Sequence, residues 1–146
     1  MEITIRAAEF EDLPRLAIMN HALIQDEQSR NPMNKEALQA RMKSWLGSEW
    51  RLVVFQEGKE CVGYTVFRIS ADFYFPDQPL VYVRQFYIET QYRGRGCGRE
   101  CFERLRKQHF PSPCRIELEV LATNPSGAAF WQKLGFEIYS TTLTLT

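Results

Sequence analysis

The first 45 residues combine one short run of alternating apolar and polar side chains with two longer stripes at helical spacing. Residues 3–8, ITIRAA, alternate as a half-buried strand does. A helix is predicted next, because core-facing positions recur every three or four residues. These positions are Leu16, Met19, Asn20 and Leu23. Asp12 stands where it can cap this helix, and Asn34 can cap a second one. The stripe of the second helix is Leu38, Met42 and Trp45.

The middle of the chain predicts three strands in succession. Residues 50–56 and 61–70 are rich in β-branched and aromatic side chains and flank the polar turn EGKE, so an antiparallel hairpin is expected. Residues 80–89, LVYVRQFYIE, are apolar enough for a central strand. The loop before them, 71–79, carries three aromatic residues in a row. We expect these either to cap the core or to form one wall of a binding cleft.

The last 50 residues alternate between helix and strand patterns. The buried face of a helix is marked by Cys101, Phe102, Leu105 and His109. Residues 114–122 read as a strand, and NPSGAAFWQKLGF as a short helix capped by Asn124 and stopped at Gly135. Residues 136–146, FEIYSTTLTLT, predict the last strands. The resulting order is β-α-α-β-β-β-α-β-α-β-β, a mixed α/β fold in which strands 80–89 and 114–121 form a parallel crossover.

Composition narrows the class of protein. A chain of 146 residues suits a single domain, residues 1–146. It has no long apolar run and no signal-peptide pattern, so we expect a cytoplasmic protein without membrane contact. Zero net charge argues against nucleic acid as a partner, although residues 93–107 form a basic cluster that keeps a nucleic-acid-binding domain as a third hypothesis.

The four cysteines predict neither a metal site nor a disulfide framework. None of them forms a C-x-x-C pair, and His109 is the only histidine near the later three. Cys97 and Cys101 are four residues apart, on one face of a predicted helix. We expect both to be buried as small apolar side chains.

The stretch YRGRGCGR, residues 92–99, joins a predicted strand to a predicted helix. A helix N-terminus offers unpaired N–H groups, and glycines let an anion approach the backbone closely. Arginines beside it can bind phosphate. The stretch therefore predicts a pyrophosphate site. It matches neither the Walker pattern, which needs Lys-Ser or Lys-Thr, nor G-x-G-x-x-G, since Arg99 or Cys101 stands at the third glycine position.

The pattern that does fit is R-x-x-G-x-G, formed by Arg93, Gly96 and Gly98. It resembles the acyl-CoA pyrophosphate loop of the GNAT family of N-acetyltransferases. A second segment, NPSGAAFWQKLGF, is similar to that family's N-x-x-A-x-x-F-Y-x-K-x-G-F. The matching residues are Asn124, Phe130, Lys133, Gly135 and Phe136. The order of elements also matches, so the resemblance covers almost the whole chain.

The resemblance implies a fold and a site. The fold would be a single-layer, mostly antiparallel mixed sheet with helices on both faces and one parallel β-α-β crossover that forms the acyl-CoA site. The pantetheine of acetyl-CoA would lie between strands 80–89 and 114–121, bonded to the backbone of Phe86, Tyr87 and Ile88. The loop would hold the pyrophosphate. Its residues are Arg93, Gly94, Arg95, Gly96, Cys97, Gly98 and Arg99. Asn124 and Trp131 would complete the cofactor site.

The resemblance also implies a reaction. A primary amine of a small-molecule or peptide acceptor would attack the thioester directly, without a covalent enzyme intermediate. The protein would orient the reactants, remove a proton, and polarise the carbonyl with a backbone N–H near Ile88. The enzyme would be a monomer or a homodimer.

Two positions depart from the family pattern. Trp131 stands where relatives often carry a tyrosine acid, and Tyr82 stands where some carry a glutamate base. Glu89 and Glu119 are the nearest acids, so our catalytic candidates are these two carboxylates and Tyr82. The departures keep a second function open, a non-catalytic CoA-binding sensor or interaction module.

Overall fold

The protein, here a computed structural model that describes residues 2–146, is built on one five-stranded sheet. Its strands are β1 Ile3–Ala7, β2 Arg51–Glu57, β3 Glu60–Ala71, β4 Pro79–Ile88 and β5 Arg115–Leu118. They lie in the order β1-β2-β3-β4-β5, antiparallel except for the parallel pair β4–β5. The predicted mostly antiparallel sheet with one parallel crossover is confirmed.

Helices cover both faces of the sheet, as expected. They are α1 Leu13–Glu27, α2 Lys35–Trp45, α3 Cys97–His109 and α4 Pro125–Lys133, with 3-10 turns at Phe10–Asp12 and Thr90–Tyr92. One core joins α1 and α2 to Tyr64 and Val66 of β3. The other joins α3 and α4 to Phe67 on the opposite face. None of the helices within residues 2–146 is long and apolar enough to cross a membrane.

Two of the three predicted helix caps are confirmed. The Asn34 side-chain oxygen accepts a hydrogen bond of 2.8 Å from the Ala37 N–H, and Asn124 accepts one of 3.1 Å from Gly127. The prediction for Asp12 is wrong, because no side chain caps α1. The Asp12 carboxylate instead accepts two hydrogen bonds, of 2.7 and 2.8 Å, from Arg6. It therefore fastens the start of α1 to β1.

The C-terminal segment corrects the sequence prediction most clearly. Residues 136–146 form no strand with any part of the chain that the structure describes, and β5 ends at Leu118 rather than 122. The segment leaves Leu143 89% and Leu145 99% exposed. An alternating pattern shows that a segment can pair, but pairing also needs a free neighbouring edge at the right place.

Both interpretations of the aromatic loop are wrong. Phe73 is 85% exposed and Tyr74 75%, so neither caps the core. None of the three aromatic residues lines the cleft described below, which lies along the second half of β4. Asp72 shapes it, because its carboxylate accepts hydrogen bonds from the N–H groups of Tyr74 and Phe75.

Candidate functional site

A cleft opens where β4 and β5 part. The two strands pair only from Leu80 and Arg115 to Val83 and Leu118, and β4 continues to Ile88 without its neighbour. A β-bulge at the same point re-aims the strand, since Val66 faces Gln85 while Phe67 faces Val83. Arg84 is the extra residue of this bulge. The space beyond it, closed by α3 and α4, measures about 620 Å³.

The unpaired part of β4 offers backbone groups to this cleft. The Gln85 carbonyl accepts a hydrogen bond of 2.8 Å from the Thr65 hydroxyl of β3. Successive residues of a strand turn their backbone groups to opposite sides, so Tyr87 also faces β3. Phe86 and Ile88 face the cleft. Of residues 86–88, which were predicted to contact the cofactor through their backbone, only Phe86 and Ile88 thus turn backbone groups toward the cleft. Tyr87 lines the cleft, but its backbone groups face β3.

The glycine-arginine loop ends at the N-terminus of α3. Gly94 and Gly96 both have φ near +77°, a conformation that glycine adopts at little cost. No side chain caps α3, so the N–H groups of its first turn are available to an anion. Gly98 has a different role, because a Cβ there would lie 2.9 Å from the Phe130 ring. Its small size lets α3 and α4 approach.

The three loop arginines occupy different surroundings. Arg93 is held by its own chain: its Nε donates to the Ile88 carbonyl and its guanidinium to Asp26, each at 2.7 Å. Arg99 lies at the cleft and contacts Glu103 at 3.3 Å. Arg95 is not among the lining residues, since its guanidinium turns back to the Gln91 carbonyl at 2.9 Å. Arg93 thus braces the loop, and binding of an anion by the loop backbone or by Arg99 stays a prediction.

Eleven of the twelve predicted cofactor-binding residues line the cleft. They are Phe86, Tyr87, Ile88, Arg93, Gly94, Gly96, Cys97, Gly98, Arg99, Asn124 and Trp131. Their binding of a cofactor stays a prediction, but the fold brings them together from β4, the loop, α3 and α4. Burial raises the pKa of the Cys97 thiol, which keeps it protonated near neutral pH and unsuited to act as a nucleophile.

Trp131 is both core and cleft wall. Its ring centroid lies 5.1 Å from that of Phe86, 5.2 Å from that of Phe102 and 5.3 Å from that of Phe136, in edge-on contacts. Only 9% of the residue is exposed. Tyr139, eight residues after Trp131, is 74% exposed, stacks on Arg115 and does not line the cleft. It therefore supplies no acid there.

The three catalytic candidates do not all reach the cleft. Glu119 lines it, and the Tyr82 hydroxyl, outside the lining, donates a hydrogen bond of 2.7 Å to the Glu119 carboxylate. Burial and this bond raise the pKa of Tyr82 to about 12, so its hydroxyl stays neutral. Glu89 is not a lining residue, and it pairs with Arg15 at 3.3 Å. Of the three candidates, Glu119 thus lies at the cleft, Tyr82 contacts it and Glu89 lies elsewhere, and a catalytic role for any of them stays a prediction.

A fourth carboxylate, Glu27, was not among these candidates. It is the last residue of α1 and lines the cleft. Burial, and to a smaller extent the neighbouring Asp26, raises the pKa of Glu27. Within residues 2–146 its carboxylate has no hydrogen bond or ion pair, whereas Asp26 pairs with Arg93. Its position at a helix end gave no signal in the sequence, because only the packing of α1 beside β4 brings it to the cleft.

Comparison with known proteins agrees with this geometry. The model of the acetyltransferase (GNAT) family matches residues 19–136. No curated protein matches the chain. Among solved structures, a "possible acetyltransferase" from Clostridium difficile 630 aligns over 100% of this chain and 97% of its own, with 16% identity and a TM-score of 0.80.

Two further solved structures contain the coenzyme. A "predicted acetyltransferase with acetyl-CoA" from Clostridium acetobutylicum aligns over 99% of this chain and 96% of its own, with 16% identity and a TM-score of 0.76. An aminoglycoside N-acetyltransferase in complex with CoA covers 99% and 94%, with 15% identity and a TM-score of 0.77. At such identities, the likeness concerns the fold.

Proposed function

Because the chain belongs to the acetyltransferase (GNAT) family, we propose that it transfers the acetyl group of acetyl-CoA to a primary amine by direct attack. One observation carries the proposal. The cleft at the parting of β4 and β5 joins backbone groups of β4 that face away from β3, the uncapped N-terminus of α3, and the Glu27 carboxylate, which has no partner within residues 2–146. The acceptor is a small molecule or a peptide, and the aminoglycoside acetyltransferase of similar fold is consistent with this range.

Each part of the cleft has a task in this reaction. The N–H groups at the start of α3 would bind the pyrophosphate, and the backbone of Phe86 and Ile88 would hold the pantetheine. One of these N–H groups would polarise the thioester carbonyl. The amine nitrogen forms a bond to the carbonyl carbon, the carbon–sulfur bond breaks, and CoA leaves as the thiolate.

Glu27 is our choice as the group that takes the proton of the attacking ammonium. Its raised pKa brings it closer to the working pH, which is what a general base needs. Glu119 is the second choice, because its carboxylate already accepts a hydrogen bond from Tyr82. No acid is required at Trp131, since a thiolate leaves readily near its own pKa.

Gly96→Val tests the donor site. A branched side chain at the N-cap of α3 would stand where the phosphate must approach, so CoA affinity measured by calorimetry should fall at least tenfold, about 1.4 kcal/mol. Gly47→Val is the matched control: Gly47 has nearly the same φ, +76° against +77°, and both glycines have no atom within 4 Å of a built Cβ. Gly47 lies outside the cleft. Unchanged CoA affinity in folded Gly96→Val would reject the site.

Thiol release from acetyl-CoA with a panel of amines tests the transfer itself. We expect at least one amine to raise thiol release well above the rate with water alone. CoA binding without thiol release for any amine would instead favour the non-catalytic CoA-binding module.

A further inference from the structure

Three arginines and two tryptophans stack in one ladder beside the bulge of β4. The Arg84 guanidinium carbon lies 4.8 Å from the ring centroid of Trp45 and 5.0 Å from that of Trp50. Arg41 lies 4.7 Å from Trp45, and Arg68 lies 4.6 Å from Trp50. Stacking of this kind fixes the planar guanidinium group and leaves its edge free to bind.

The charges of this ladder are not balanced. Arg68 pairs with Glu49 at 3.3 Å. Within residues 2–146, neither Arg84 nor Arg41 has a carboxylate partner, and the Nε of Arg41 is buried without any hydrogen bond. Burial first, and Arg84 second, lower the pKa of Arg41, so the two cations repel each other in the folded chain. Two neighbouring arginines without carboxylate partners are suited to bind an anionic group of a ligand.

The ladder reaches the cleft through Arg84. Arg84 lines the cleft and is exposed to solvent, two residues before Phe86 and its free backbone groups. Its stacking on Trp45 places the guanidinium on the face of the sheet that α1 and α2 cover. Glu27, at the end of α1, lines the same cleft. An acceptor entering from this face therefore meets a carboxylate and a free guanidinium.

We propose that the acceptor is an amine that also carries an anionic group, a carboxylate or a phosphate, and that Arg84 binds this group while Glu27 faces the amine. This inference rests on the proposed acetyl transfer. A guanidinium binds either anion through two parallel N–H groups, so the shared chemistry defines the class of acceptor. Arg41 adds positive potential behind Arg84.

Pairs of amines that differ only in the anion test the inference. Thiol release is compared for phenylalanine against phenethylamine, and for phosphoethanolamine against ethanolamine, which separates carboxylate from phosphate. Wild type should prefer the anionic member of at least one pair. Arg84→Gln should lower kcat/KM for that member at least about tenfold and leave the neutral member unchanged. Arg106→Gln is the control and should change neither, because Arg106 is an exposed arginine 6.0 Å from the ring centroid of Phe102, outside both the ladder and the cleft.

The outcomes separate the inference from the proposed function. A wild type that turns over only neutral amines, or an Arg84→Gln variant that slows both members equally, would overturn the inference and leave acetyl transfer standing. Calorimetric binding of an anionic amine that depends on Arg84, with no thiol release for any amine, would reject acetyl transfer and keep the anion site. The CoA affinity of each variant confirms that the donor site is intact.

Discussion

At the scale of single residues, the geometry of this site depends on which charges already have partners. Asp26 and Glu27 are neighbours in the sequence, yet one pairs with Arg93 and the other has no partner among the described residues. No pattern in the sequence separates them. The same holds for Arg93 and Arg84: the motif pointed to Arg93, which braces its own loop, while Arg84 at the bulge has no carboxylate partner among the described residues.

Glu27→Gln should separate stability from activity. As a general base, Glu27 should be worth about 10²-fold or more in kcat/KM, and the variant should lose the wild type's rise of rate with pH through the Glu27 pKa. Folding raises that pKa, so the folded chain binds more protons than the unfolded chain in this range. The wild type therefore loses stability as pH rises from the unfolded to the folded pKa, and the variant does not.

Steady-state rates and urea unfolding at pH 5 and pH 8 check both parts of this prediction. The free energy of unfolding of Glu27→Gln relative to wild type should be higher at pH 8 than at pH 5. Glu137→Gln, which removes an exposed carboxylate outside the helices and the cleft, should match wild type in both measurements. Wild-type rates in Glu27→Gln would contradict the role of Glu27 as the general base and would favour Glu119 instead.

At the scale of elements, the sequence correctly predicted helices and turns that are determined by interactions between nearby residues. It did not predict features that depend on pairing between distant segments of the chain. All four helices and the hairpin β2–β3 follow from periodicity and turn residues. The end of β5 and the absence of a strand in residues 136–146 could not be predicted in this way. An alternating pattern does not reveal whether a free strand edge is available for pairing. Asp12 failed as a cap because its carboxylate already accepts hydrogen bonds from Arg6, six residues earlier on β1, and from the Glu9 N–H.

The candidate site shows the same division. Glycine spacing located the pyrophosphate loop, because it reports a local backbone requirement at Gly94 and Gly96. The alternation of residues along β4 could not reveal the bulge at Arg84. The bulge changes the face of the sheet to which side chains point, and it is defined by the register between β4 and β3. Glu27 reaches the cleft through helix packing alone. The loop was therefore predictable residue by residue, whereas the part of the cleft that contains Arg84 and Glu27 was not.

At the scale of the whole molecule, the proposed donor site joins β4, the loop, α3 and α4, which are separated along the chain. A ligand that binds across them should stabilise the entire fold, by about 2.7 kcal/mol at 100 times its Kd. For a chain of this size that corresponds to a rise in Tm of roughly 5–10 °C. CoA at this excess should give such a rise in thermal melts.

Pantetheine at the same concentration decides which part of the cleft supplies the affinity. It can use the backbone of Phe86 and Ile88, but it has no pyrophosphate for the N-terminus of α3. If that uncapped N-terminus is the main anchor, pantetheine should shift Tm by less than about a third of the CoA shift, because phosphate at a helix N-terminus gains hydrogen bonds and a favourable dipole together. Equal shifts would place the anchor on β4, and the glycine-rich loop would then have only the role of a tight turn between strand and helix.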